Sequence, residues 1–506
     1  MERPYGCAEQ TISSAYPSLL WLQLQKSQKF TASPFDQRAK RYLQLAYAKL
    51  LGYRDSAGGF THWGKGDSDI PLTAYALRLL TESSEFIEVD PNIVSGTRRW
   101  LLQQASPNGT WASKKSNGQS TDRSRNYDTT YVVQVLSRDL LQPGRTDMKE
   151  LEAEKSLVTN GIQYLSKSTA SDLEPYRIAL LALAKLSLKQ EASSEIRSLL
   201  AKQHAEADTL YWDLQQNTPF YCWGLAGRIE TTALVLDALA TAKQQGNMEQ
   251  ALDRALNLGT NFLLINKDRY NVWYSAQATV DVLQSLVRQL APDSSSNDPA
   301  NSRPLVQMDG QPGPEFPVSH DARQLTPRRV NLTPYLSPGP HHVEIRDDSS
   351  AHVSANLNAS DYLPWNDPTV TKSLVPAGDS ESIRYSVQFD RTAASIGDKI
   401  LCTVHAERVG IRGYGMMLAE IGLPPGANVD RSSLEAAVAA NWAVPSYEIQ
   451  PDRIVAYLWP SAGGVTFSFT LQPRFSMNAQ SAESILYDYY NPLARASVPP
   501  ARFTVE

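Results

Sequence analysis

Two patterns of hydrophobic spacing divide the chain. Up to about residue 290, apolar positions recur at helical intervals. Leu72, Ala76, Leu79 and Leu80 fall on one face of a helix that Pro71 opens, because proline's fixed φ suits a first turn. Similar runs return at 129–136, 231–239 and 278–286, with a degenerate copy at 177–183. The spacing is roughly fifty residues, inside the range that marks repeat architectures. A turn or short aromatic stretch precedes four copies, at 59–63, 108–111, 221–224 and 271–273. More polar helices lie between, such as 96–102. An apolar inner helix paired with an amphipathic outer one, repeated about five or six times, predicts an α/α toroid over residues 1–290. An open solenoid is the alternative.

At 292–299 the helical pattern stops in a Ser-, Asp- and Pro-rich stretch that reads as a linker. Beyond it the apolar period becomes two. Ile383, Tyr385, Val387 and Phe389 alternate with polar partners, as do Val465, Phe467, Phe469 and Leu471, the pattern of half-buried antiparallel strands. The prolines of 364–368 divide this region near 372, giving β domains at 291–372 and 373–506. A short helix at 432–441 is expected from a serine N-cap. The fold class is therefore multi-domain α + β, a toroid of helical hairpins followed by antiparallel β-sandwich domains.

Composition narrows the partners. The chain has 506 residues, 42% hydrophobic and 20% charged, in the range of a globular, multi-domain protein. A net charge of −5 gives no electrostatic pull toward nucleic acid or acidic lipid. No apolar run approaches the ~18 residues of a membrane helix, and residues 1–7 lack the apolar core of a signal peptide. Three cysteines exclude a fully paired framework and a four-cysteine zinc site. Cys222 between Tyr221 and Trp223, and Cys402 on a strand face with Ile400 and Val404, read as buried free thiols. No phosphate loop, metal spacing or hydrolase elbow occurs, so no cofactor or metal is expected.

Sharp chemistry sits at one place. Cys7-Ala8-Glu9-Gln10 puts a thiol and a carboxamide three residues apart at the mouth of a helix. Positions i and i+3 are neighbours on a turn, so sulfur can reach the Gln10 carbonyl. A helix start also favours the thiolate. Attack with loss of ammonia would give an internal thioester. The alternative is a buried cysteine beside a surface glutamine. Glu9 reads either as local proton transfer or polar support, or as an ordinary first-turn acid.

Residues 4–11, Pro-Tyr-Gly-Cys-Ala-Glu-Gln-Thr, closely resemble the thioester signature of the alpha-2-macroglobulin and complement family. Thr11 and the run 15–20 are most similar to the bacterial branch. The resemblance continues through 59–64 and 72–75, which look like the family's toroidal thioester domain. It returns at 415–424 and 486–492, which are similar to the C-terminal receptor-binding-type sandwich. It implies that 291–372 is the second part of a CUB-like β domain. It further implies a broad-spectrum protease-trapping inhibitor rather than an enzyme, in which Cys7 and Gln10 acylate lysine amines of the attacking protease after bait cleavage elsewhere. The implied partners are target proteases and upstream macroglobulin domains. The implied location is the periplasm or cell envelope, with membrane contact only through a lipid anchor outside this chain. The chain is expected to be a C-terminal piece that does not inhibit a protease by itself.

Complement-type members carry a nucleophilic histidine in a loop that here corresponds to 112–120, which has none. Direct attack by amines is therefore expected, with His62 or His204 as the remaining relay candidates. A thioester must be shielded from water, and Tyr5, Met477, Tyr487, Tyr489 and Tyr490 are the candidates. Two other functions fit the same fold. A polysaccharide-active toroid enzyme would use carboxylates such as Asp67, Asp69, Asp122 and Asp128, and a non-reactive binding module would use none.

Overall fold

The computed structural model describes residues 1, 3–28, 33–113, 122–143, 145, 147–167, 174–246, 251–267, 272–290, 305–314, 329–346, 357, 359, 382–409, 416–459 and 463–506. The linker at 292–299, the division at 364–372 and most of the 112–120 loop lie outside these residues. Helices α1 (Ala8–Gln28), α3 (Ile70–Ser83), α5 (Asp122–Asp139), α7 (Pro175–Ser187), α9 (Gly224–Gln244) and α11 (Ala276–Gln289) pack each on the next. Helix α11 then packs on α1, so the ring is closed rather than an open solenoid. Helices α2 (Pro34–Leu51), α4 (Pro91–Gln103), α6 (Met148–Ser166), α8 (Ser193–Ala201) and α10 (Ala251–Ile265) form the outer layer.

The inner helices are buried on more than the one face that their spacing predicts. In α3 nearly every side chain is inside, including Thr73, Arg78 and Thr81. The supposedly degenerate copy, α7, is equally enclosed. Charged members of different inner helices pair with one another, which offsets part of the cost of burying them. Arg78 lies 3.9 Å from Asp281, and Arg138 is 3.4 Å from Glu82 and 3.6 Å from Asp237, which also pairs with Arg288. Tyr16 stacks on Tyr75 at 5.4 Å, and Phe220 packs against Tyr75 and Tyr131. The hole of the toroid is therefore filled.

One hydrogen-bond device repeats around the ring. The indole N–H groups of Trp111, Trp212 and Trp273 donate to Leu101, Leu199 and Leu263 carbonyls near the ends of α4, α8 and α10. The backbone N–H of each of these tryptophans, and of Phe60, donates to a threonine hydroxyl of an inner helix: Thr129, Thr232, Thr279 and Thr73. Such bonds satisfy orphan carbonyls at an outer helix terminus while fixing it to the ring. The member that belongs to α9 is Trp212. The stretch 221–224, which the sequence pattern assigns to this role, does something else.

The C-terminal sandwich faces two antiparallel sheets. One runs Ala427–Val429, Val465–Pro473, Ile400–Arg408, Ile383–Phe389, and the other Ser446–Ile449, Arg453–Leu458, Met417–Gly422, Ser484–Asp488, Asn491–Val498. Val465, Phe467, Phe469 and Leu471 all point inward, and Cys402 is buried opposite Phe469. No disulfide joins any two of Cys7, Cys222 and Cys402. Helix α12 spans Arg431–Ala440 and is capped by Asp430, whose carboxylate accepts from Ser432 N at 3.1 Å, not by a serine. A separate small sheet joins Leu305–Met308 to Gln311–Pro312 and Val343–Arg346. Among the described residues no helix is long and apolar enough to cross a membrane.

Candidate functional site

The segment ahead of α1 is tied down by backbone bonds. Ala8 N donates to the His62 carbonyl at 2.9 Å and Thr11 N to the Cys7 carbonyl at 2.9 Å. The Tyr53 hydroxyl donates to the Gly6 carbonyl at 2.7 Å, and the Thr11 hydroxyl to the Tyr5 carbonyl at 3.2 Å. These bonds hold a turn at Gly6, where φ is +67°. The turn lets the Gln10 side chain fold back, so that its Oε1 accepts from Cys7 N at 3.0 Å. Thiol and carboxamide thus share one buried turn, with Cys7, Glu9 and Gln10 all nearly inaccessible.

Only glycine fits at position 6. A Cβ there would lie 1.8 Å from Gln10 Oε1, and the backbone is left-handed. Gly6→Ala is expected to expel the carboxamide from Cys7 and abolish any bond between the two side chains. The helix content should hold, because the left-handed strain is only about 1–2 kcal/mol. Intact mass and circular dichroism check both halves, and a fully cross-linked alanine variant would contradict the geometry.

A turn of the sandwich at 488–491 covers the segment. Gln10 Nε2 donates to the Tyr489 hydroxyl at 3.3 Å, and the Tyr490 hydroxyl donates to Glu9 Oε2 at 3.3 Å. The two rings meet edge-to-face at 5.0 Å, and Tyr490 also packs on Tyr221 at 5.8 Å. Asp488 organises the turn. Its Oδ1 accepts from Tyr490 N at 2.7 Å and Asn491 N at 3.0 Å, and its Oδ2 accepts from Trp223 Nε1 at 3.1 Å and from the Arg408 guanidinium. The displaced tryptophan, Trp223, is therefore the toroid's docking point for the sandwich. Gly224, at φ +57°, lets Asn491 approach where a Cβ would sit 2.4 Å from its Nδ2.

The other shielding candidates are placed differently. Tyr487 donates to Glu420 Oε1 at 3.3 Å across the sandwich sheet. Met477 is not brought to the segment: it pairs with Val505 on strand Met477–Gln480 and packs on the sandwich core. Tyr5 is half-exposed beside the turn, held through its carbonyl. His62 contributes its carbonyl, and His204 stacks on Tyr211 at 5.2 Å in a small hairpin. Sequence patterns missed Trp223, Arg408 and Asp488. Asp488 carries a signal of its own, an acid set inside the tyrosine run 487–490.

Burial sets the electrostatics. The Cys7 thiol is pushed up to about 12, by its enclosure first and by the Glu9 charge second, while N–H groups at the helix start pull the other way. The helix start alone predicts a thiolate; burial overrides it. Enclosure also raises Glu9 from its ordinary 4.5 to about 8, with Asp69 adding to the rise and the Tyr490 hydrogen bond opposing it. Asp128 rises to about 7 for the same first reason, although it accepts from Ser113 N at 2.8 Å. Asp69 is occupied in capping α3, accepting from Leu72 N at 2.8 Å.

A carboxyl raised on folding binds its proton more tightly in the folded state. Its stabilising contribution is complete below pH 4.5 and is lost as pH rises through about 8. Urea unfolding of Glu9→Gln is therefore expected to fall less steeply than wild type across that window. Parallel pH profiles would contradict the burial account of Glu9.

A closed α/α toroid with a thiol–carboxamide pair at its mouth, capped by a β-sandwich, defines a thioester-domain protein. The A-macroglobulin TED domain model matches residues 1–288 and the A-macroglobulin receptor binding domain model matches 413–499. The chain belongs to the alpha-2-macroglobulin family. It is 22% identical over 510 residues to mouse alpha-2-macroglobulin-like protein 1, covering 97% of this chain and 33% of that one. It thus spans about a third of the length of that relative. The crystal structure of native Escherichia coli alpha-2-macroglobulin from domain MG7 to the C-terminus superimposes with a TM-score of 0.59 at 14% identity, covering 99% of this chain and 73% of that one. Salmonella alpha-2-macroglobulin reacted with methylamine gives 0.60 at 17% identity, covering 100% and 30%.

Proposed function

We propose that Cys7 and Gln10 close into an internal thioester that serves as the acyl donor of a protease-trapping inhibitor. The observation that carries this reading is the Gln10 carboxamide folded back onto Cys7 inside a sealed turn. Its carbonyl oxygen lies 3.0 Å from Cys7 N. In the whole protein, cleavage of a bait segment outside these residues moves the sandwich turn away, and a lysine amine of the attacking protease takes the acyl group. Cys7 leaves as the thiol. The upstream macroglobulin domains are the partners that transmit the cleavage. Bacterial neighbours in fold favour a periplasmic or envelope location, and the methylamine-reacted Salmonella structure is consistent with amine attack on such proteins. Nothing favours the polysaccharide enzyme, because the mouth such a substrate would enter is filled by Tyr489 and Tyr490.

The acceptor is expected to be an amine. Residues 112–120 hold no histidine, so the loop that would carry an acyl-imidazole relay has none. Labelled methylamine should be incorporated about tenfold or more faster than glycerol at equal concentration and neutral pH. Comparable rates would overturn direct amine attack.

A further inference from the structure

The contacts of the sandwich turn do more than exclude water. Making a thioester from a thiol and a primary amide forms one C–S bond, breaks one C–N bond and carries the thiol proton away on ammonia. Three aids are needed: a donor to the carbonyl oxygen, a base for sulfur and an acid for nitrogen. The first is present as Cys7 N–H, 3.0 Å from Gln10 Oε1. The amide nitrogen touches one hydroxyl, that of Tyr489, at 3.3 Å. Sulfur attacks Cδ, the carbon that bears Nε2, so the Tyr489 hydroxyl, hydrogen-bonded to Nε2, comes within reach of Sγ as the C–S bond forms. It sits where a single group can serve both ends of the proton transfer.

We propose that Tyr489 is a catalytic residue of thioester formation, its hydroxyl taking the proton of Cys7 Sγ and handing its own to Gln10 Nε2. This rests on the thioester reading above. In the resting amide, Nε2 donates to the hydroxyl oxygen. As sulfur adds to Cδ, the nitrogen becomes tetrahedral, its lone pair turns toward the hydroxyl and the bond reverses. The phenolic proton passes to nitrogen, the thiol proton replaces it on oxygen, and the C–N electron pair leaves with ammonia. Tyr489 ends unchanged. The sandwich must therefore be docked before the bond can form: it builds the reactive group as well as covering it. The ring and the hydroxyl have separable tasks, the ring shielding and the hydroxyl moving the proton.

The test is Tyr489→Phe in the full chain, made by cell-free synthesis with intact mass sampled over time. Loss of one ammonia is expected to be about 100-fold slower than in wild type, the lower range for a positioned acid–base group. Once formed, the bond should hydrolyse at the wild-type rate, because the ring still covers it. Tyr487→Phe removes a hydroxyl from the same hairpin and should form the bond normally, which separates chemistry from folding of the turn. Equal formation rates in Tyr489→Phe and wild type would overturn the proposal and leave the thioester reading standing. Equal slowing in Tyr487→Phe would overturn it in favour of docking alone. A wild-type chain that never loses ammonia would remove the thioester reading with it.

Discussion

Cys7→Ala is expected to reduce incorporation of labelled methylamine to background, while the helical signal and unfolding midpoint stay close to wild type. The effect is all-or-none because no second pair can substitute. Cys222 is followed three residues later by Leu225 and Cys402 by His405, so neither has a carboxamide at the required spacing. Both are also buried, Cys222 against the Ser275 hydroxyl at 3.1 Å and Cys402 in the sandwich core. The toroid should tolerate the change because Cys7 precedes α1 at the mouth, and losing one small buried group costs about 1 kcal/mol. Equal incorporation by variant and wild type would place the reactive bond elsewhere.

Asp488→Ala is expected to accelerate thioester hydrolysis in the absence of any protease or amine, by up to ~100-fold. One carboxylate holds two backbone N–H groups of the turn, the Trp223 indole and Arg408. Removing it leaves the buried Arg408 guanidinium without this partner, a defect that typically costs about 3–5 kcal/mol. The folded sandwich can escape much of that cost by undocking, which hydrates Arg408 and lifts Tyr489 and Tyr490 from the 7–10 segment. Each 1.4 kcal/mol of lost docking is about tenfold in the undocked population. Thiol release over time reads the result. An unchanged half-life would mean that tyrosine packing holds the cover without the aspartate.

The parts of this fold visible in the sequence are those set by local spacing. Apolar runs every fifty residues or so locate the inner helices, and alternation at 465–471 locates a sandwich strand. Spacing also brings Cys7 and Gln10 onto one turn. It fails where distant segments decide. Trp212 and Trp223 both follow a polar stretch before α9, yet one caps an outer helix and the other binds Asp488, 265 residues away. The distinction lies in the threonine that receives the backbone of Trp212 and in the Asp488 partner of Trp223. The thiolate expectation at Cys7 fails for a related reason: the helix start is local, and the enclosure that overrides it comes from the packed fold. Tyr489 and Tyr490 were legible as a tyrosine run. Their division of labour, one on Gln10 and the other on Glu9, was not, since register and turn geometry select which ring faces which group.

The central claim is that Cys7 and Gln10 are covalently joined in the native chain. Intact mass of the freshly made, undenatured protein tests it most directly. The chain should be lighter than its sequence by the mass of one ammonia. Methylamine should then add at Gln10 while freeing the Cys7 thiol. A native chain at full sequence mass from the moment of synthesis, with a titratable Cys7 thiol and no methylamine adduct, would contradict it.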